Sequence, residues 1–281
     1  MRWILAGVLS ASFAATALAG DKIALEPVWT LTGLAAPESA ALAADGSFLY
    51  VSNINGEPDA VDGNGYIARV STAGKTLEEK WATGLNAPKG LTLKGARLFA
   101  ADITRLVEID TKTGKMVATY DAPGAKFLND TALAPDGRIL VSDSATQRLY
   151  VLDGGAMKVL IEDPKLRAVN GMLVEPDRLV ILTMQGLLIA MDWKTKALTQ
   201  LADGFGDGDG IAPLGNGRYL VSEWPGQLWS LAADGTKTVL IDSRKEQKLI
   251  NDFLLVGDTL YVPHLLPGAM TAYRVSTSSP N

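Results

Sequence analysis

Six times along its 281 residues the chain writes the same short phrase, a polar residue followed by an apolar run: Pro37–Leu42, Pro88–Leu93, Leu128–Leu133, Val169–Val174, Gly208–Pro213 and Ile250–Leu255. The second residues of these phrases stand at positions 38, 89, 129, 170, 209 and 251, at intervals of 51, 40, 41, 39 and 42. The clearest copy, Phe127–Asp143, reads as a strand, a turn at Pro135-Asp136-Gly137 and a second strand through Ile139, Leu140 and Val141. The proline pre-sets φ and the glycine takes positive φ, so the phrase is a hairpin unit.

A self-similar period near 40 residues in strand-rich text marks propeller blades, each a four-stranded antiparallel sheet. Second-strand text follows every phrase (Phe48–Val51, Arg97–Ala100, Ile139–Val141, Leu179–Leu182, Tyr219–Val221, Leu260–Val262). Third-strand text comes next (Gly65–Val70, Arg105–Ile109, Arg148–Leu152, Leu187–Met191, Gln227–Leu231, Met270–Val275), and Val117–Tyr120 and Val159–Ile161 are examples of a fourth. The expectation is an all-β, six-bladed β-propeller over residues 20–281, one domain, with four-stranded antiparallel blades. Residues 24–34 precede the first phrase and resemble the outer strand Glu79–Leu85. They are expected to close the ring by pairing with the blade formed by residues 250–275, which removes an exposed sheet edge.

Residues 1–19 read differently. Arg2 supplies a positive start, Trp3 to Leu18 is apolar and small, and Ala17-Leu18-Ala19 before Gly20 matches an A-x-A cleavage site, so a removed secretory signal and a periplasmic or secreted protein are expected. With Arg2 gone, 25 basic face 31 acidic residues, a net charge of −6. That acidity argues against nucleic acid and anionic membrane surfaces as partners. There is no Cys, so an exported chain would be held by its core alone, which a fold of this length can supply. A monomer acting on a small molecule is expected. Ser276 to Asn281 reads as a polar tail.

The chemistry is written at the aligned position. Innermost propeller strands run side by side around a channel, so Glu38, Lys89, Asn129, Asn170, Asp209 and Asn251 form a ring of six polar groups. Buried without partners, each would cost about 1–3 kcal/mol. Two carboxylates and three amide carbonyls are the oxygen set that Ca2+ or another hard divalent cation prefers; the other reading is a water-filled tunnel. Lys89 adds a cation, either to bind an anionic substrate or developing oxyanion, or to take the metal's place between Glu38 and Asp209.

The phrases Ala36-Pro37-Glu38, Asn129–Gly137, Val169–Leu173 and Gly208–Ile211, in this order and period, resemble the superfamily of gluconolactonase, senescence marker protein and luciferin-regenerating enzyme, itself similar to paraoxonases and diisopropyl fluorophosphatase. The resemblance spans the chain after the leader. It implies a six-bladed propeller holding a divalent cation, usually Ca2+, through Glu38, Asn129, Asn170 and Asp209, with Asn251 a further contact. It also implies hydrolysis of a lactone or ester, with Asp209 as base. Ser39 stands where the family usually has Gly, and no Arg is placed to orient a sugar lactone.

His264, the only histidine, ends the second strand of the last blade at the position of Asp143 and Glu223; it is either a proton shuttle or a structural residue. Trp81, Trp193, Trp224 and Trp229 are expected to pack between blades, with Trp224 also placed to wall a pocket. The Asn53–Gly65 insert is a loop over one face, solvated or carrying oxygen ligands. Asp203–Gly210 is Gly-rich but lacks the Lys-Ser/Thr of a phosphate loop. Two functions follow: a divalent-cation-dependent hydrolase of small lactones or esters, or a non-catalytic periplasmic propeller binding a ligand or protein. A metal-free condensing enzyme of the strictosidine synthase type is a third.

Overall fold

In the computed structural model, which describes residues 22–278, five of the phrases become the innermost strands of four-stranded antiparallel sheets, and the sixth enters the inner strand of a sixth such sheet only at Leu254. Five sheets run in chain order from inside to outside; blade 1, for example, is Pro37–Leu42, Phe48–Asn53, Gly65–Ser71 and Thr76–Leu85. The sixth starts with Leu254–Val256, Thr259–His264 and Ala269–Ser278, and its outermost strand comes from the other end of the chain, Lys22–Thr32. The expected ring closure is therefore present, two residues earlier than its sequence bounds at each end. The expected leader, residues 1–19, lies outside the described residues. Of the expected polar tail, Ser276–Ser278 continue the last strand and the remainder lies outside. The lone helical turn among the described residues is the 3-10 segment Pro164–Leu166, and no helix is long and apolar enough to cross a membrane.

Second and third strands read as unbroken apolar runs because both faces of each blade are covered, so successive side chains feed different cores. Tyr50 packs with Trp81, Leu98 and Val107 between blades 1 and 2, while its neighbours Leu49 and Val51 pack with Tyr261 and Met270 between blades 1 and 6. Phe99 and Tyr150 share the next interface, Leu140 and Leu179 the one after, then Val180 and Tyr219, then Leu220 and Leu260. Each such side chain contributes roughly 1.5–3 kcal/mol by burial. Trp81, Trp193 and Trp229 fall in these interfaces as expected. At the inner strands the blades approach backbone to backbone. A Cβ on Gly171 would lie 2.1 Å from the carbonyl oxygen of Asp209, so only glycine fits beside the next blade there.

Candidate functional site

The ring residues sit where the ladder between first and second strands is broken. In blade 3, Leu128 pairs with Asp143 and the next pair is Thr131 with Val141, leaving Asn129 and Asp130 opposite Ser142 alone. The same shift recurs around Glu38, Lys89, Asn170 and Asp209. Two residues against one is a β-bulge, which re-aims side chains and frees backbone groups. Three blades recapture the freed N–H with a second-strand serine: Ser39 N to Ser52 Oγ at 3.0 Å, Asp130 N to Ser142 Oγ at 2.9 Å and Gly210 N to Ser222 Oγ at 2.7 Å. Asn251 differs. It lies before its short inner strand, and its N–H donates to the carbonyl of Pro263, a residue with no N–H to return.

All six ring residues line one cavity of about 370 Å³. Its floor is this polar ring; its walls are Ile54, Phe127, Met184, Trp224 and Leu265, with Gly56–Pro58 of the insert closing one side. The insert is thus a wall of the pocket, and Trp224, 38% exposed, departs from the other tryptophans by facing the cavity.

The floor is short of positive charge. Glu38, Asp130, Asp209 and Asp252 are all buried deeply enough that desolvation raises each carboxyl above its ordinary range, with mutual repulsion added for the first three; Asp252 reaches about 6. Asp130 spends both oxygens on backbone N–H groups, Thr131 at 2.6 Å and Met172 of the next blade at 2.7 Å, and Asp252 accepts from Ser39 Oγ at 2.7 Å. These two carboxylates link blade 3 to blade 4 and blade 6 to blade 1. Glu38 has no hydrogen bond or ion pair among the described residues, and its Oε2 is buried and partnerless.

Lys89 does not neutralise Glu38. Its ammonium donates to the carbonyls of Pro58 at 2.7 Å and Ala87 at 3.1 Å and lies 4.3 Å from the centre of the Phe127 ring, with no carboxylate within 4.0 Å. Burial lowers it to about 8, partly offset by Glu38. The arrangement in which Lys89 pairs with Glu38 and Asp209 in place of a metal is therefore not the one the fold adopts.

The amides are oriented by neighbours. Asn129 Nδ2 donates to Ser144 Oγ at 3.0 Å, and Ser144 donates to the carbonyl of Val169 at 2.7 Å, which leaves Asn129 Oδ1 buried and partnerless. Asn170 Nδ2 donates to Asp209 Oδ1 at 3.0 Å. Among the described residues no three His, Cys, Asp or Glu side chains converge as a metal-ligand group, so any cation here would be held by carboxylates and amides together. Two orphaned buried oxygens in the lining of one cavity, from blades 1 and 3, fit such an ion.

His264 is not on the cavity lining. It is 1% exposed; its Nδ1 donates to the carbonyl of Leu249 at 2.6 Å and its Nε2 lies 3.1 Å from Thr271 Oγ1, where it accepts. At the equivalent position Asp102 and Asp143 brace the loop entering the inner strand of their own blades with the opposite sense, by accepting the N–H of Asn86 and Ala87 and of Lys126 and Phe127. Geometry gives His264 the structural one of its two readings. Burial lowers it from 6.5 to about 4. The fold thus holds it neutral, and the stability this supplies is complete above pH 6.5 and lost as pH falls toward 4. The stability gap between wild type and His264→Gln is expected to narrow by about 2 kcal/mol from pH 7.5 to pH 5 in urea unfolding; a gap independent of pH would refute this role.

The bulge serines, Ser144 and the carboxylates Asp130 and Asp252 were not singled out by the sequence reading. A serine recurring inside otherwise apolar second strands, at 52, 142 and 222, was the signal available. Against known proteins, no family model and no curated sequence matches the chain. Solved structures do share its fold. Selenomethionine-substituted virginiamycin B lyase from Staphylococcus aureus aligns with a TM-score of 0.65 at 12% identity over 90% of this chain and 99% of that one. A streptogramin B lyase aligns with a TM-score of 0.65 at 12% identity over 94% and 100%. An inactive virginiamycin B lyase variant solved with quinupristin aligns at 0.62 and 13% over 90% and 99%. At these identities the likeness extends to the six-bladed propeller architecture.

Proposed function

We propose that the protein is an exported, divalent-cation-dependent hydrolase of small lactones or esters, with Ca2+ the ion its oxygens suit best. The observation that carries this reading is the pair of buried oxygens without partners, Glu38 Oε2 and Asn129 Oδ1, in a cavity also lined by Asn170 and Asp209. A cation held there by Glu38, Asn129, Asn170 and Asp209 would neutralise the floor and polarise a substrate carbonyl. Asp209 has one oxygen fixed by Asn170 and the other without a partner among the described residues, and its proton affinity is raised by burial, as a general base requires. Lys89 spends two of its three N–H bonds on loop carbonyls, so its contribution is to hold Pro58 over the site and to lend positive potential near the floor. The apolar walls suit the hydrocarbon part of an ester and offer little to the hydroxyls of a sugar lactone. The resemblance to the gluconolactonase-like superfamily supports the architecture of the site more than that substrate.

The same walls and the lysine favour the second reading, a propeller that binds an apolar ligand without turnover. The two part on one assay. A hydrolase should open δ-decalactone or cleave phenyl acetate only with cation present, lose at least about 100-fold in kcat in Asp209→Asn, and discriminate against gluconolactone. Cation-bound protein inert towards all such compounds would leave the binding reading.

A further inference from the structure

The three ring asparagines are not presented alike. Asn129 and Asn170 each spend the amide nitrogen on the protein, on Ser144 Oγ and on Asp209 Oδ1, which leaves carbonyl oxygens for the cavity. Asn251 is held the other way round: its Oδ1 accepts the backbone N–H of Leu265 at 3.0 Å. Its Nδ2 has no partner among the described residues, although the residue is only 2% exposed and lines the cavity between Asp209 of blade 5 and Glu38 of blade 1.

The reversal has a local cause. Pro263 interrupts donation along the second strand of blade 6, the chain turns at His264 and Leu265, and the Leu265 N–H arrives where the side chain of Asn251 must receive it. In the other five blades the ring residue sits in a bulge within the ladder, and no turn N–H reaches its side chain. An amide that offers N–H to the cavity is a poor neighbour for a cation and a good one for an oxygen that carries or develops negative charge.

We infer that Asn251 is a hydrogen-bond donor to the substrate's carbonyl oxygen, and not a cation ligand. This rests on the proposed cation site and divides its ring: Glu38, Asn129, Asn170 and Asp209 face the ion, and Asn251 faces the oxygen that the ion polarises. The assignment adds a residue to the reaction and removes one from the ligand set that the sequence suggested.

Calorimetry on the whole protein separates the roles. Ca2+ is titrated into wild type, Asn251→Ala and Asn251→Asp, and hexanoate, as a mimic of a carboxylate product, is then titrated at saturating Ca2+. A donor role predicts Ca2+ affinity within about twofold of wild type in Asn251→Ala, and hexanoate binding weakened by about tenfold or more in both variants. Asn251→Asp keeps the acceptor for Leu265 N–H, so it controls for loss of the turn. Ca2+ affinity that falls tenfold or more in Asn251→Ala, with the Asp variant retaining it, would make Asn251 a ligand and overturn the inference while the cation site stands. Wild type that binds Ca2+ but neither hexanoate nor δ-decalactone would also overturn it. Wild type that binds no Ca2+, Mg2+ or Mn2+ would remove the cation site itself, and this assignment with it.

Discussion

Glu38→Gln is expected to move the protein's thermal stability in opposite directions with and without cation. Wild type in Ca2+ at one hundred times its dissociation constant gains about 2.7 kcal/mol by mass action, which for a chain of this size raises Tm by roughly 5–10 °C. Glu38→Gln should lose that gain, because the buried carboxylate that has no partner among the described residues would no longer be available to the ion. In chelator the same variant should be more stable than wild type by about 1–3 kcal/mol, since it replaces an unpaired buried charge by a neutral group of the same shape. Scanning calorimetry in Ca2+ and in EDTA checks both halves. A variant destabilised in chelator would mean that Glu38 has a neutralising partner within the protein, and the cation reading would lose its main support.

Deletion of Lys22–Thr32 is expected to abolish the cooperative fold. This strand pairs with Ala269–Ser278 through ten Cα partners, from Lys22 with Ser278 to Thr32 with Ala269. Leu25, like Leu240 and Ile241 of blade 5, packs against the apolar core between blades 5 and 6. Trp29 packs against Tyr261 with the rings tilted by 42° and their centroids 6.0 Å apart, and it donates from Nε1 to the carbonyl of Thr72 in blade 1 at 3.0 Å. Its loss opens a sheet edge and uncovers apolar surface on three blades, which exceeds the 5–15 kcal/mol that a typical domain has to lose. A permutant that joins the chain after Ser278 to Lys22, with new ends between Gly33 and Ala36, should fold, because it keeps every pair and makes the closing strand local. A sharp melting transition in the deletion would show that the ring tolerates an open blade. Failure of the permutant would show that the Gly33–Ala36 link itself is needed.

The repeat was legible because burial on both blade faces forces apolar runs, and the channel forces one polar residue per run at a fixed place. Both constraints act on side-chain type, which a sequence displays. The ring's convergence followed from the period alone, since equivalent positions on equivalent strands meet. Orientation was not legible. Asn129 and Asn251 are the same residue at the same aligned position, and only the neighbours, a serine hydroxyl in one blade and a turn N–H in the other, decide which end of the amide faces inward. Lys89 was ambiguous for a similar reason: its partners are backbone carbonyls, which every residue carries. His264 suggested proton transfer by its chemistry and a structural role by its place at a strand end, and its buried hydrogen bonds fit the second.

Closure by the first strand also orders events in time. Lys22–Thr32 leaves the ribosome before any other part of the ring, yet its partner is the last strand of the ring to be made. At about 5–20 residues per second it waits roughly 10–50 s for Ala269–Ser278 to exist. Until then blades 1 to 5 can assemble by local pairing, while a long strand with one apolar face remains without a mate and, at the end, the edge of the last blade stands open. A second copy in the same condition presents the same strand and the same edge. Exchange of first strands between two chains is thus the misassembly this topology invites, and crowding nascent chains together should favour swapped dimers over closed rings.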